Sequence, residues 1–504
     1  MHQTQQSQIL WRNTTHALSG YPPLEGEKET DVVVIGAGIT GLTTSLLLKR
    51  AGQRVIVLEK EHIGSGTTGS SSAHLTNLVD ARYSKLIKTF DVGTSRRVAR
   101  SIMSAIDQIE DLQHELNIDC EFKRVPGYFY AEDERDNDEI TLEFEAAKRS
   151  GLAVTMEEKA PLPFANTSAF RVDGQAQFHP IKYLDGLARE VNSGESAIHE
   201  NTRVVEIHDR DPCEIITEKG RIIANHVVLA THIPLGINLL QSELHSYRSF
   251  IITAKVAGSL PEGLYWDTQD PYHYIRAYQN GDEQIVIFGG KDHKVGEGSS
   301  KASFEKLEEY IRHRFDVTEI LNKWSAQFHD PTDGLPFIGK NPFGLNVYIA
   351  TGFQGDGLTF GTLSGMILSS MIVHGHHEYD DLYEPKRLKL STAPNFLQKN
   401  FSVAKHFIGD RINLKSGKAV DELLQGEGCV IKEGRSYLAV YRDTNDELKT
   451  LSAVCPHMKC IVQWNDAEKS WDCPCHASRF SVDGKKMEGP AMDNLKKVDW
   501  QPTA

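Results

Sequence analysis

Apolar runs broken by glycine set the frame of this chain. Asp31-Val-Val-Val-Ile35 is apolar at every step after its first residue, the pattern of a strand buried on both faces. Gly36-Ala-Gly38-Ile-Thr-Gly41 follows at once and opens an apolar segment that reads as a helix to about Arg50. A second strand, Arg54-Val-Ile-Val-Leu58, ends in Glu59. Residues 84–116 place Val98, Ile102, Ile106, Ile109 and Leu112 at helical spacing, which predicts a helix with one apolar face. Arg203-Val-Val-Glu-Ile207 and Val227-Val-Leu-Ala-Thr231 predict strands, the second returning parallel to the first sheet. Residues 246–292 alternate in short strands and predict an antiparallel sheet. Val347-Tyr-Ile-Ala-Thr351, a glycine-rich turn and a helix from about Gly361 to Val373 close this part. Beyond it, short strands at Cys429-Val-Ile431, Tyr437–Tyr441 and Leu451–Val454 predict a small β-sandwich.

Residues 1–30 are expected to form an irregular arm, with Trp11 and the Tyr21-Pro22-Pro23 turn packed on the body. At 504 residues the chain needs more than one core. A net charge of −14 argues against a nucleic-acid partner, which demands a basic surface. No apolar run is read as a membrane span. The first residues are polar and lack the basic-then-apolar order of a signal peptide, so the expected location is cytoplasmic. Four of the seven cysteines fall between positions 455 and 475; Cys120, Cys213 and Cys429 are scattered and read as plain thiols.

Two constellations carry chemistry. Gly36, Gly38 and Gly41 stand between a strand and a helix, and Glu59 lies 23 residues after the first glycine. That is a dinucleotide-binding fingerprint: the glycines admit backbone to a pyrophosphate at a helix N-terminus, and the acid accepts hydrogen bonds from a ribose. The second constellation is Cys455-Pro-His457, fifteen residues, then Cys473-Pro-Cys-His476. Zinc fingers keep like ligands together, whereas each of these loops offers one thiolate and one imidazole. The mixed pairing suits a Rieske 2Fe-2S cluster, two cysteines on one iron and two histidines on the other, with structural zinc as the alternative. Arg276 and His293 are basic candidates for a substrate site, Arg276 as a fork for a carboxylate. His374, His376 and His377 read as a solvated turn.

The stretch from Asp31 to Thr76 and the turn at Val347–Thr359 resemble the D-amino-acid-oxidase-like (DAO) flavoproteins, a family of amine and amino acid oxidases and dehydrogenases. The resemblance implies an α/β, Rossmann-like FAD-binding domain and an α+β substrate domain within residues 31–380. The FAD-binding segments would be about 31–83, 170–240 and 330–380, and the substrate segments about 84–169 and 241–329. It further implies FAD contacts at Lys60, Gly66, Ser70, Ser71, Val204, Val205, Gly355, Asp356, Gly357, Leu358 and Thr359. Some members attach FAD through a histidine in the first loop. Here that position falls near Ser71, not His74, so non-covalent FAD is expected.

The loops at 455–476 resemble the Rieske proteins of respiratory and photosynthetic cytochrome complexes. That likeness implies a Cys460–Cys475 disulfide, an all-β Rieske domain over 416–504 and a third loop at Gly489-Pro-Ala491, with 381–415 as connector and a helix expected around 395–408. High-potential members carry a serine two residues and a tyrosine four residues after the second histidine. Here Ser478 and Phe480 stand there, which implies a lower potential within the roughly −150 to +300 mV Rieske range. Lys459 and Ala477 replace glycines usual in those loops.

Together these features predict an FAD-dependent oxidoreductase acting on a small-molecule amine or amino acid, with electrons leaving through the cluster to an external acceptor. The alternative is an NAD(P)H-dependent flavin–Rieske reductase, which calls for a second glycine fingerprint not found here. A Rieske oxygenase calls for a mononuclear iron site, also not found, and a redox sensor leaves the substrate domain without a task.

Overall fold

The computed structural model describes residues 9–15, 20–342, 344–387 and 420–500; the helix expected at 395–408 lies outside them. The apolar strand pairs on both sides, as its composition demands: Val34 lies opposite Val57 and Val228, all in parallel register. These strands, Gly26–Ile35, Val55–Leu58 and Gly220–Leu229, belong to an eight-stranded sheet that also holds Val347–Thr351, Phe337–Lys340 and Ala197–His199. The first strand reaches back to Gly26, into the stretch expected to be irregular, because residues 26–30 pair with Gly220–Ala224. Trp11, on the short helix Leu10–Asn13, is fully buried and donates its indole N–H to the Ser71 carbonyl at 2.6 Å.

The helix Ile39–Arg50 packs against the helix Gly357–His374, which starts one turn before the expected Gly361. Their closeness has a steric cause. A Cβ on Gly361 would lie 2.8 Å from Thr40 Oγ1, and one on Gly365 would lie 2.7 Å from Thr43 Cγ2. Gly357–His374 is long and apolar enough to cross a membrane by length and composition, and most of it is buried inside the protein. The helix expected over 84–116 is two, Tyr83–Thr89 and Val92–Glu115. Asp91 breaks them by accepting the Thr94 N–H at 2.7 Å, an N-cap the apolar spacing does not reveal.

A nine-stranded sheet forms the second layer. Its path runs Val317–Pro331, Leu244–Val256, Glu283–Lys294, Tyr274–Asn280, Leu264–Asp267, Lys123–Ala131, Ser168–Gln177, His74–Leu75. After residue 420 come a three-stranded and a four-stranded antiparallel sheet, the second made of Gln463–Asn465, Ser470–Asp472, Arg479–Ser481 and Lys486–Glu488. This part joins the rest through polar contacts. Arg248 reaches Glu468, Gln327 donates to the Ala477 carbonyl at 3.4 Å, and Gly236 N–H donates to the Pro490 carbonyl at 3.1 Å.

Candidate active site

The first strand ends where backbone must pass closely over backbone. Gly36 has φ +107°, and a Cβ there would sit 2.4 Å from the Ala230 carbonyl oxygen. A Cβ on Gly41 would sit 1.9 Å from the Gly36 carbonyl oxygen, so this glycine serves the turn itself. Gly36 and Gly38 line a cavity, and Gly41 does not. Glu59 lines the same cavity. Its two oxygens accept the N–H groups of Ala37 at 2.9 Å and Glu61 at 3.0 Å. Burial raises its pKa, against the pull of those hydrogen bonds.

Lys60, Gly66, Ser70, Ser71 and Val204 line the cavity, as do Gly355, Asp356, Gly357 and Leu358 at the N-terminus of the long buried helix. Two expected residues do not. Val205 is 42% exposed, because strand alternation turns it away from Val204. Thr359 is buried, with its hydroxyl spent on the Asp356 carbonyl at 3.0 Å. The donor set fits a dinucleotide: glycine backbone and a helix N-terminus for phosphates, a carboxylate for a ribose. Space fits as well, since a Cβ on Gly66 or Gly357 would meet nothing within 4 Å.

The nine-stranded sheet supplies the opposite wall. Trp266, His74, Tyr274 and Tyr272 line it as a run of rings, with centroids 5.4, 5.5 and 6.2 Å apart in turn. Asp292 and Ser249 complete it. Their position follows from a β-bulge. Phe250 pairs with Gly290 and Arg248 pairs with His293, so Ser249 faces two residues, Lys291 and Asp292. Lys291 takes a left-handed φ of +57° to absorb the extra residue. The bulge reverses the alternation, so Asp292 joins Ser249 on the cavity wall.

His293 is thereby carried to the other face, where it packs on Phe250 at 5.1 Å and bonds Ser303 at 3.1 Å. It is not a cavity residue, contrary to expectation. Nor is Arg276. It lies one pleat beyond Tyr274, is buried over the Trp11 ring at 5.3 Å and donates to the Ala73 carbonyl. Charge alone shows neither the bulge that turns His293 away nor that Arg276, on the face of Tyr274, is spent on Ala73 and Trp11. Burial holds His74 neutral, with its pKa pulled down to about 3.

The cysteine–histidine loops have matching backbones. Lys459 N–H donates to the Cys455 carbonyl at 3.0 Å and Ala477 N–H to the Cys473 carbonyl at 2.8 Å. Lys459 (φ +62°) and Ala477 (φ +58°) occupy the left-handed region that favours glycine. Cys460 and Cys475 form a disulfide with Cα atoms 6.4 Å apart, which ties the loops together. The sulfurs of Cys460, Cys473 and Cys475 lie within 4.8 Å of one another, but the disulfide takes two of them. Cys455 and Cys473 stay free, buried and in contact with each other. The rings of His457 and His476 meet at 4.9 Å and 90°. Both nitrogens of His457 and Nδ1 of His476 are buried without a hydrogen-bond partner. Unpartnered buried nitrogens are costly unless a ligand takes them. Two free thiols with two such imidazoles fit a Rieske cluster, Cys455 and Cys473 on one iron and His457 and His476 on the other.

The two sites meet. Met487, Glu488 and Gly489 of the C-terminal part line the same cavity as Gly38 and Tyr274, and Lys60 donates to the Met487 carbonyl. His232, also on the cavity wall, lies 4.4 Å from His329, a fully buried histidine kept neutral by burial and by the neighbouring His232. Sequence reasoning missed Asp292, the ring wall and His232, because segments far apart in the chain bring them to one cavity.

Comparison with known proteins agrees with this geometry. The family model described as FAD dependent oxidoreductase, DAO, matches residues 31–371, and that described as Rieske [2Fe-2S] domain matches residues 415–499. YhfW of Bacillus subtilis (strain 168), named for a Rieske 2Fe-2S iron-sulfur protein, is 30% identical over 98% of this chain and 97% of its own length. Gamma-glutamylputrescine oxidoreductase of Escherichia coli (strain K12) is 22% identical over 71% of this chain and 88% of its own. The crystal structure of glycine oxidase from Geobacillus kaustophilus shares the fold, with a TM-score of 0.60 at 18% identity over 72% of this chain and all of that one. The chain belongs to the DAO family of FAD-dependent oxidoreductases and carries a Rieske [2Fe-2S] domain at its C-terminal end.

Proposed function

We propose that this enzyme is a dehydrogenase that oxidises the C–N bond of a small amine or amino acid and passes the electrons through the Rieske cluster to an external acceptor. One observation supports that order most: Met487, Glu488 and Gly489 of the Rieske domain form part of the wall of the flavoprotein cavity. Bound FAD would supply two-electron hydride acceptance, and a bound 2Fe-2S cluster would supply one-electron transfer. The substrate loses two electrons and two protons and becomes an imine, which water hydrolyses to a carbonyl compound and a free amine or ammonia.

The chain's own residues orient and shield. The rings of Trp266, Tyr272 and Tyr274 form an apolar wall that excludes bulk water from the reacting carbon. Glu59 and the backbone around Gly36 and Gly38 hold the dinucleotide. Cys455, His457, Cys473 and His476 hold the cluster. The relatives support the substrate class, since glycine oxidase and gamma-glutamylputrescine oxidoreductase are named for amine-bearing compounds.

The test is anaerobic. The visible spectrum is recorded while NADH, NADPH and then a panel of amines and amino acids are added. Flavin bleaching by an amine or amino acid, followed by a Rieske EPR signal, is the expected result. Bleaching by NADH or NADPH alone would move the enzyme to the reductase class.

A further inference from the structure

Among the described lining residues the substrate wall carries a carboxylate, the neutral His74 and no lysine or arginine; Arg82, outside the lining, lies 5.4 Å over the Tyr272 ring. Among the described lining residues, the cations are Lys60, Arg203 and Lys486. These three sit together at the far, Glu59 end, near enough that Arg203 and Lys60 help burial to lower the Lys486 pKa. Beside the ring wall stands Asp292, with its Oδ1 buried and without a hydrogen-bond partner. Its acidic neighbours are already engaged. Asp356 accepts the Asp80 N–H at 2.7 Å, and Asp80 accepts the Gly355 N–H at 3.1 Å. Tyr274 is fixed by a hydrogen bond to Ser249 at 2.9 Å, and its ring fills the space that a side chain on Gly289 would take. Tyr272 and Tyr274 both feel the Asp292 charge.

A carboxylate with a free oxygen, next to rings whose faces attract cations, recognises an ammonium. A wall without arginine or lysine leaves a substrate carboxylate unpaired on burial. We propose that Asp292, together with Tyr272, Tyr274 and Trp266, forms a binding site for an ammonium group, and that the substrate is a cationic amine without a carboxylate at the reacting end. This deepens the reading above and rests on the cavity being the site of amine oxidation. Burial raises the Asp292 pKa to about 7, which accords with an acid that awaits a partner.

The test uses the full-length, flavin-loaded protein and a binding readout. Tetramethylammonium, tert-butanol and acetate are titrated separately, and perturbation of the flavin absorbance is followed at pH 8. The expected result is tetramethylammonium binding at least tenfold tighter than either control. Asp292→Asn should weaken tetramethylammonium tenfold or more and leave tert-butanol unchanged, with Asp292→Glu restoring part of the loss. If Asp292→Asn fails to retain flavin, Tyr272→Leu carries the same expectation. Acetate binding tighter than tetramethylammonium, or variants indifferent to the cation, would overturn the proposal.

The two readings separate cleanly. If glycine bleaches the flavin while tetramethylammonium does not bind, the ammonium site fails and C–N oxidation stands. If no amine or amino acid bleaches it while tetramethylammonium binds in an Asp292-dependent way, the ammonium site stands and C–N oxidation fails.

Discussion

Arg248 of the nine-stranded sheet donates to Glu468 of the Rieske domain at 2.6 Å, with side chains only 2% and 11% exposed. The same guanidinium donates to Ser325 at 2.7 Å and lies 3.8 Å from Asp472. Truncating one partner of a buried ion pair leaves the other charge stranded and costs about 3–5 kcal/mol. Arg248→Ala should therefore destabilise the junction by that order, with Arg479 still facing Glu468 at 2.8 Å. Urea denaturation followed at flavin and at Rieske wavelengths checks it. The expected outcome is two separated transitions in place of coincident ones; unchanged transitions would remove Arg248 from the junction.

Asp292 sets a pH dependence. Burial raises its pKa to about 7, Asp80 adds to the rise, and the Ser249 hydroxyl opposes it. The nearby rings do not titrate in this window, since His74 is held near 3 and burial raises both Tyr272 and Tyr274. Below about 7 the carboxyl is neutral and its attraction for a cation is lost. Tetramethylammonium affinity should fall roughly tenfold per pH unit below that point and level off above it. The Asp292→Asn profile should be flat across the same range.

Gly41 tests the dinucleotide turn without touching the ligand. A Cβ there collides with the Gly36 carbonyl oxygen at 1.9 Å, and backbone cannot yield as a flexible side chain does. Gly41→Ala should cost about 1–3 kcal/mol, as overpacking does, and lower the flavin-to-protein ratio of the purified enzyme. A full flavin complement with unchanged stability would show that the turn tolerates the methyl group.

The cluster potential follows from hydroxyls near sulfur. The Ser478 hydroxyl lies within hydrogen-bond reach of the Cys455 thiol and also accepts the Ala491 N–H at 3.0 Å. Phe480, fully buried on the adjoining strand, has none to offer. Hydrogen bonds to the sulfurs raise the potential by stabilising the reduced cluster. Protein-film voltammetry should show Phe480→Tyr shifted upward and Ser478→Ala shifted downward. No upward shift in Phe480→Tyr would detach that position from the potential.

What the sequence made legible was local. Gly36, Gly38, Gly41 and Glu59 are read from one strand–turn–helix unit, and Cys455, His457, Cys473 and His476 from two short loops, so spacing alone carries the chemistry. The strand edges drifted where pairing decides them: Gly26 joins the first strand only because Gly220 lies opposite. Charge marks Arg276 and His293, but the bulge turns His293 to the other face and Arg276, on the face of Tyr274, is taken up by Ala73 and Trp11. Asp292 was hidden beside His293, because the bulge that turns it inward forms between strands far apart in the chain.

Met487, Glu488 and Gly489 also bear on what completes the cofactor cleft. With Lys486 they close a cavity whose other lining residues lie between Ile35 and Leu358. Without that last stretch this side of the cleft has no wall. The cofactor cleft is therefore complete only when the last stretch of chain is docked against the flavoprotein part.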